Sequence, residues 1–293
     1  MFRSVYNTVF FSALLLVIGA IEPQEAHAES YIDFLENRSE TVMVRRYQSQ
    51  LEIDGDIHGQ PDHDALSYDE TINGARFRQV GANGRQLRPN FGTIDSGTVL
   101  ITWESRWDAG YSSNGDVDGL RTHKAFQISK NGPSDQRRME IRALYSSVDE
   151  PDVARLDHRR YIWNTVGDAS PLAGQIDEFI IKPNTWTRFW SFMDFDNGTY
   201  SHWVADEDTN PVQLFDRLPI DYSNNLAAGV DNFWFEYNSS QSRNGPVLYT
   251  WARNFAVLKN LSNDPGYYVQ IGAQVAADVN GNFPNPPIIL QGN

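Results

Sequence analysis

Hydrophobic and polar positions alternate with a period of two along much of this chain, whereas the three-to-four-residue period of amphipathic helices is scarce. The alternating segments are rich in aromatic and β-branched residues, which are favoured in strands. The pattern predicts strands at 41–53, 75–80, 97–107, 122–129, 137–146, 185–196, 199–206, 230–237 and 247–259. The chain is therefore predicted to be mostly β.

Turn signals separate these segments. Asn-Gly or Asp-Gly pairs begin at positions 73, 83, 114, 118, 131, 197 and 244, and both residue types tolerate the positive φ of tight turns. Two longer excursions, 54–74 and 147–184, interrupt the succession, and no repeat of fixed period is visible. We predict an all-β fold in which two antiparallel sheets form a jelly-roll β-sandwich of the concanavalin A-like kind.

The ends of the chain differ in character from its middle. Arg3, the apolar run 9–21 and the small residues of Ala-His-Ala at 26–28 are typical of a cleaved export signal. We predict a signal peptide at 1–28, a β-jelly-roll domain at 29–262, and a strand or short helix followed by a tail at 263–293. The protein is predicted to be secreted, into a periplasm or the medium, and the absence of cysteine favours a bacterial source over a disulfide-stapled scaffold.

The net charge is −14, which argues against long-range attraction to nucleic acid or to an anionic membrane. No segment after the signal is apolar enough to span a membrane. An acidic ligand would need a local basic cleft, because charges beyond about 10 Å are screened at ordinary salt. The sequence carries no indication of an oligomeric state.

Several strands place polar and aromatic side chains opposite their apolar face. Flat aromatic rings stack on the apolar faces of pyranose rings, while charged and amide groups bind hydroxyls and carboxylates. If the polar faces belong to one sheet, they form a groove for a polysaccharide, which is the predicted partner. The candidate binding residues in this groove are Gln127, Glu140, Arg188, Trp190, His202, Trp234, Glu236, Trp251 and Arg253.

The segment Arg-Met-Glu-Ile-Arg at 138–142 places Arg138, Glu140 and Arg142 on one face of a strand and Met139 and Ile141 on the other. It resembles the R-[STN]-E-L-R strand motif of jelly-roll alginate lyases, and the resemblance covers this strand alone. It implies an acidic polysaccharide substrate and cleavage by β-elimination. In that family the first arginine of the motif neutralises the uronate carboxylate, a role that falls here on Arg138.

Elimination requires a clamp on the carboxylate, a base for the C5 proton and an acid for the leaving oxygen. We assign the clamp to Arg138 with Arg142 or Gln127, the base to His123 and the acid to Tyr249. His202 is the rival base. No cofactor is required by this chemistry.

Three alternatives remain open at this point. A glycoside hydrolase would use two carboxylates, for which Glu140 and Glu236 are the best pair. A carbohydrate-binding module would use the same aromatic face without a base or an acid. A structural calcium ion is compatible with the acidic stretches 54–64 and 116–119, although neither has the spacing of an EF-hand loop.

Overall fold

The computed structural model describes residues 30–58, 62–79, 86–108, 121–129, 138–145, 154–159, 174–180, 182–207, 209–219, 229–239 and 248–278. The predicted export signal lies outside these residues. Three helices occur within them: α1 (Tyr31–Glu36), α2 (Gln50–Asp56) and α3 (Pro265–Asp278). In this part of the chain no helix has the length and apolar character needed to cross a membrane.

The strands, in chain order, are β1 (Thr41–Arg45), β2 (Leu66–Asp69), β3 (Gly74–Gln79), β4 (Asn90–Ile94), β5 (Thr98–Trp107), β6 (Arg121–Ser129), β7 (Arg138–Tyr145), β8 (Ala154–Arg159), β9 (Gly174–Ile180), β10 (Trp186–Asp194), β11 (Thr199–Asp206), β12 (Val212–Pro219), β13 (Val230–Ser239) and β14 (Leu248–Lys259).

These strands form two antiparallel sheets. The eight-stranded sheet has the order β12-β11-β10-β5-β14-β3-β2, with β1 also paired to β14, and the six-stranded sheet has the order β4-β13-β6-β7-β8-β9. Trp103 and Phe189 of the first sheet pack with Phe233 and Phe235 of the second, so one apolar core lies between the sheets. The predicted two-sheet β-sandwich of jelly-roll type is confirmed.

A second apolar cluster covers part of the other side of the eight-stranded sheet, which we call its outer face. Tyr31 and Leu35 of α1 and Tyr268 of α3 pack there against Trp190 and Leu258. The indole N–H of Trp190 donates a hydrogen bond to the Tyr31 hydroxyl over 3.0 Å. The two helices therefore cover one end of the outer face and leave the other end to polar side chains.

The structure differs from the sequence prediction mainly between strands. The predicted strand 41–53 is wrong beyond Arg45, because Tyr47 has a φ of 55° and the Ser49 hydroxyl caps α2 by accepting from the Glu52 N–H over 3.3 Å. The excursion 147–184 carries β8 and β9, and the segment predicted as a strand or short helix after 263 is α3.

Candidate functional site

A buried carboxylate organises the centre of the outer face. Glu104 of β5 pairs in register with Arg188 of β10 on one side and Arg253 of β14 on the other. Its oxygens accept from Arg188 Nε over 2.9 Å, from Arg253 Nε over 2.7 Å and from the Asn254 amide over 3.0 Å. Since Glu104 is only 3% exposed, this network compensates the cost of burying its charge.

The electrostatics of Glu104 follow from two opposing effects. Burial favours the neutral acid and raises its pKa, but the charges and hydrogen bonds of Arg188 and Arg253 outweigh burial and hold the pKa at about 2. Glu104 is therefore ionised at neutral pH. It anchors the two guanidinium groups and is unsuited to donate a proton in catalysis.

A pocket of about 410 Å³ opens above Arg188, Glu104 and Arg253. That volume lies within the roughly 300–1,000 Å³ range of small-molecule sites. Its floor consists of Glu104, Trp186, Arg188, Trp190, Arg253 and Asn254, and its rim comes from five other parts of the chain. The rim residues are Ser30, Tyr31, Ile32, Arg46, Gln48, Asn73, Ala205, Asp206, Glu207, Gly272 and Ala273.

Arg253, in the pocket floor, has hydrogen-bond donors to spare. Its Nε is bound to Glu104, and its terminal nitrogens have no hydrogen-bond acceptor among the residues that the structure describes. Its guanidinium carbon lies 3.9 Å from the centre of the Trp186 ring, and the side chain is 26% exposed. An arginine held by an aromatic face and a buried carboxylate is preorganised to bind an incoming carboxylate.

An arginine–tryptophan row runs across the strands next to the pocket. It consists of Trp186, Arg106, Trp251 and Arg76, which are direct cross-strand neighbours on β10, β5, β14 and β3. Arg106 lies 5.7 Å from the Trp251 ring, and its Nε is buried without an acceptor in the described part of the chain. Tyr249 continues this surface, with its ring 6.1 Å from that of Trp251.

Five predicted site residues meet on the outer face. Arg188 and Arg253 lie in the pocket floor, and Tyr249 and Trp251 lie in or beside the arginine–tryptophan row. Trp190 also belongs to the floor, but it is fully buried under α1 and α3. The prediction that Trp190 stacks openly on sugar is therefore wrong.

His202 is not a surface residue. It is fully buried on the core side of β11, where its Nδ1 lies 2.8 Å from the Ser191 hydroxyl and 3.0 Å from the Tyr200 hydroxyl. The rings of Trp103 and Phe189 flank it at 6.2 and 6.1 Å. The predictions that His202 binds substrate or acts as a base are wrong, because the sandwich core separates it from solvent.

The other predicted residues belong to the six-stranded sheet. His123 and Gln127 lie on β6, Arg138, Glu140 and Arg142 on β7, and Trp234 and Glu236 on β13. Tyr249 lies on β14 of the opposite sheet. The prediction of one groove shared by all of these residues is wrong, because the core separates the two sheets, and His123, Arg138 and Tyr249 are not brought together.

Of this second group the structure describes the side chain of Trp234. It is 3% exposed, with the Arg88 guanidinium carbon 3.2 Å from its ring centre and the His58 ring stacked at 6.4 Å. Trp234 is thus a covered ring rather than an open stacking surface, which corrects its predicted role.

The backbone register of the six-stranded sheet also differs from simple alternation. Gln127 pairs with both Trp234 and Glu140, so these positions form one cross-strand row. A bulge between Lys124 and Phe126 then shifts the register and pairs His123 with Ala143. The alternation that assigned His123 and Gln127 to the same face is interrupted at this point.

Sequence reasoning missed Glu104, Arg106 and Trp186. The signal for Glu104 was present, because a single carboxylate within the apolar stretch of β5 needs a charged partner if that strand is buried. The sequence does not show which cations pair with Glu104, because these partners are set by the order of the strands in the sheet. Trp186 and Arg106 gave no comparable local signal.

The acidic stretch 54–64 does not gather metal ligands in the residues described. Asp54 lies 3.0 Å from His63, whereas Asp56 binds Tyr47 and Arg45. Within the described ranges no group of three or more histidine, aspartate or glutamate residues is arranged to hold a metal ion. The second acidic turn, 116–119, lies outside these ranges, so the calcium site stays a prediction.

No family model matches the chain, and no curated protein matches it. Similar solved structures include a glycoside hydrolase family 131 catalytic domain from Coprinopsis cinerea, at 10% identity over 76% of this chain and 87% of that chain, with a TM-score of 0.40. Alginate lyase A1-II′ of polysaccharide lyase family 7 is 11% identical over 74% and 95%, with a TM-score of 0.42. A xylan β-1,4-xylosidase from Bacillus halodurans is 8% identical over 74% and 39%, with a TM-score of 0.45. At TM-scores this low, function has to be argued from the side chains.

Proposed function

We propose that this is a secreted polysaccharide-active protein that binds an acidic, uronate-containing glycan on the outer face of its eight-stranded sheet. The observation that carries the proposal is Arg253, whose terminal N–H groups are available in the pocket while Glu104 and Trp186 fix its position. A uronate carboxylate is a planar acceptor that matches the fork of a guanidinium group.

The rest of the pocket suits the neutral groups of a sugar. Gln48 and Asn73 line it with side chains that both donate and accept hydrogen bonds. Glu207 stands on another side, where it accepts the Trp186 backbone N–H over 2.8 Å, and it retains acceptor capacity for sugar hydroxyls. Trp186 is only 7% exposed, and its ring supports Arg253 and does not form an open stacking surface. A cationic anchor in the pocket floor, with amide and carboxylate groups around it, favours an acidic sugar over a neutral one.

For the reaction we propose β-elimination. Arg106 and Arg76 would neutralise the carboxylate of the reacting uronate, which makes its C5 proton more acidic. In this proposal Tyr249 enters as the phenolate, takes the C5 proton, and as the resulting phenol gives it to the leaving oxygen, while the electron pair of the C5–H bond forms the C4–C5 double bond and the C4–O bond breaks. Hydrolysis is less well supported at this pocket, because Glu104 is ionised at neutral pH and Glu140 and Glu236 belong to the other sheet.

Replacing Arg253 with Ala is expected to weaken binding of a uronate oligosaccharide by about 10- to 100-fold, because a charge-assisted hydrogen bond contributes roughly 1.5–3 kcal/mol. Arg253→Lys should recover only part of the loss, since an ammonium group lacks the bidentate fork. Calorimetric titration measures both affinities, and circular dichroism checks the fold.

Arg217→Ala serves as the control, because the Arg217 side chain is 80% exposed on β12 and does not line the pocket. Equal affinities for wild type, Arg253→Ala and Arg217→Ala would refute the proposed anchor. A loss that is as large for a neutral glucan as for the uronate would refute selection of an acidic sugar.

Two variants test whether the reaction takes place on the eight-stranded or on the six-stranded sheet. Tyr249→Phe is expected to abolish the ultraviolet absorbance of unsaturated products, because it removes the phenolic oxygen that takes and returns the proton and retains the ring. Arg138→Ala, in the six-stranded sheet, should retain that absorbance. The reverse result would assign the chemistry to the strand that resembles the alginate lyase motif, as the sequence alone predicts.

A further inference from the structure

We infer that the pocket is a blind subsite for the end of a glycan chain, so that the protein releases short oligosaccharides from chain ends instead of cutting within chains. The inference rests on the proposed function and adds to it the mode of action. It is carried by the walls of the pocket and by the spacing between Arg253 and Tyr249.

One wall is closed by tightly packed helices. Gly272 of α3 lies so near the floor that a Cβ atom there would be 2.8 Å from the Trp190 ring and 3.0 Å from the Tyr31 ring. Arg188 also donates a hydrogen bond to the Gly272 carbonyl. Contacts this close leave no passage between α1, α3 and the sheet, so a polysaccharide cannot continue in that direction.

The other sides of the rim are held by separate anchors. Arg46 is tied to Asp33 over 2.7 Å and also to Glu36. Asp206 is paired with Lys182 over 2.8 Å. These ion pairs order the side chains on two sides of the rim, while the packed helices α1 and α3 close one end of the pocket.

The arginine–tryptophan row marks the side on which a bound glycan leaves the pocket. Trp186 and Trp251 of this row are only 7% and 9% exposed, whereas Arg106 and Tyr249 are partly exposed. Since the pocket floor and the row share Trp186, a sugar chain that leaves the pocket on this side passes along Arg106 to Tyr249. Arg253 and Tyr249 are four residues apart on one regular strand, which corresponds to about 13 Å at roughly 3.3 Å per residue. When the end of a glycan chain is held at Arg253, the glycosidic bond that reaches Tyr249 lies about 13 Å from that end. The released product therefore has a fixed short length.

The test follows the products of wild-type protein acting on a uronate polymer. We expect short unsaturated oligosaccharides at the earliest times, while the viscosity falls slowly in relation to the ultraviolet signal. The same polymer with both ends coupled to a bulky fluorophore should be cleaved at least about tenfold more slowly, which corresponds to roughly 1.4 kcal/mol of lost transition-state stabilisation.

A rapid early fall in viscosity, with long products and equal rates on free and blocked ends, would overturn the chain-end inference and leave the proposed lyase intact. An absence of unsaturated product from every uronate polymer would overturn the proposed function and the inference together. Polymers blocked at the reducing or the non-reducing end alone then identify which end the pocket accepts.

A rim variant tests the pocket itself. Gln48→Trp narrows the entrance and keeps the backbone N–H that donates to Glu52 over 2.8 Å. It should lower turnover of free-ended chains by at least about tenfold. Leu51→Trp is the matched control, because Leu51 is 83% exposed on the neighbouring helix α2 and does not line the pocket. Equal turnover of the two variants would contradict a role of the pocket in holding the chain end.

Discussion

Replacing Glu104 with Gln is expected to lower the free energy of unfolding by about 3 kcal/mol at pH 7. Removing one partner of a buried ion pair leaves the remaining charge uncompensated, which typically costs about 3–5 kcal/mol, and the partial exposure of Arg188 and Arg253 reduces that cost. Urea unfolding followed by tryptophan fluorescence measures the change. A lower midpoint with an unchanged slope identifies it as a loss of stability.

The matched control is Asp216→Asn, because Asp216 is 71% exposed and its nearest cation, Arg217, lies 3.9 Å away at the surface. Exposed pairs of this kind contribute about 0–1 kcal/mol. Equal stabilities of Glu104→Gln and Asp216→Asn would show that the Glu104 network does not stabilise the fold.

The same network predicts a pH dependence with a definite sign. The pKa of Glu104 is about 2 in the folded chain against an ordinary value of 4.5, so the folded state favours the ionised carboxylate. Its contribution to stability is complete above pH 4.5 and is lost as the pH falls towards about 2. The difference in stability between wild type and Glu104→Gln should therefore shrink over that interval, and a constant difference from pH 5 to pH 2 would contradict the assignment.

Replacing Gly272 with Ala is expected to destabilise the protein by about 1–3 kcal/mol, which is the usual cost of overpacking a filled interior. The new methyl group would lie 2.8 Å from Trp190 and 3.0 Å from Tyr31, and both rings are buried. The direction is informative, because Gly to Ala within a helix ordinarily stabilises by about 0.5–1 kcal/mol. Thermal unfolding and titration with a uronate oligosaccharide measure the loss of stability and of affinity.

Gln270→Ala provides a control on the exposed side of α3, where the substitution meets only solvent. Stability and affinity should remain close to those of wild type. A Gly272→Ala protein that is more stable than wild type would show that α3 does not pack against the floor as described.

The sequence predicted the layers of the sandwich because alternation reports which side of a strand is apolar. Phe233 and Phe235 of β13 are in the core as predicted. Trp251 and Arg253 share the side of β14 that faces away from the core. Alternation cannot report what covers the second side of a sheet. Trp190 was therefore predicted to be open to solvent, although α1 and α3 lie over it.

The candidate site was less predictable than the fold, for related physical reasons. A groove depends on which strands are neighbours, and this order is set by contacts between distant parts of the chain. Arg188, Glu104 and Arg253 are separated by long stretches of sequence yet adjacent in the sheet. A local irregularity within a strand also makes the site hard to predict. The bulge after Lys124 shifts the pairing register of β6, so the alternation counted from Gln127 does not hold at His123.

The hydrogen bond from Arg188 to the Gly272 carbonyl ties the last described helix to the residues that hold Arg253 in place. Occupancy of the pocket and docking of that helix are consequently linked equilibria, and linkage is reciprocal. A ligand bound at Arg253 would protect the backbone amides of α3 from hydrogen exchange. In the same way, a change that loosens α3 would lower the affinity for the proposed ligand, even where the changed residue lies outside the pocket.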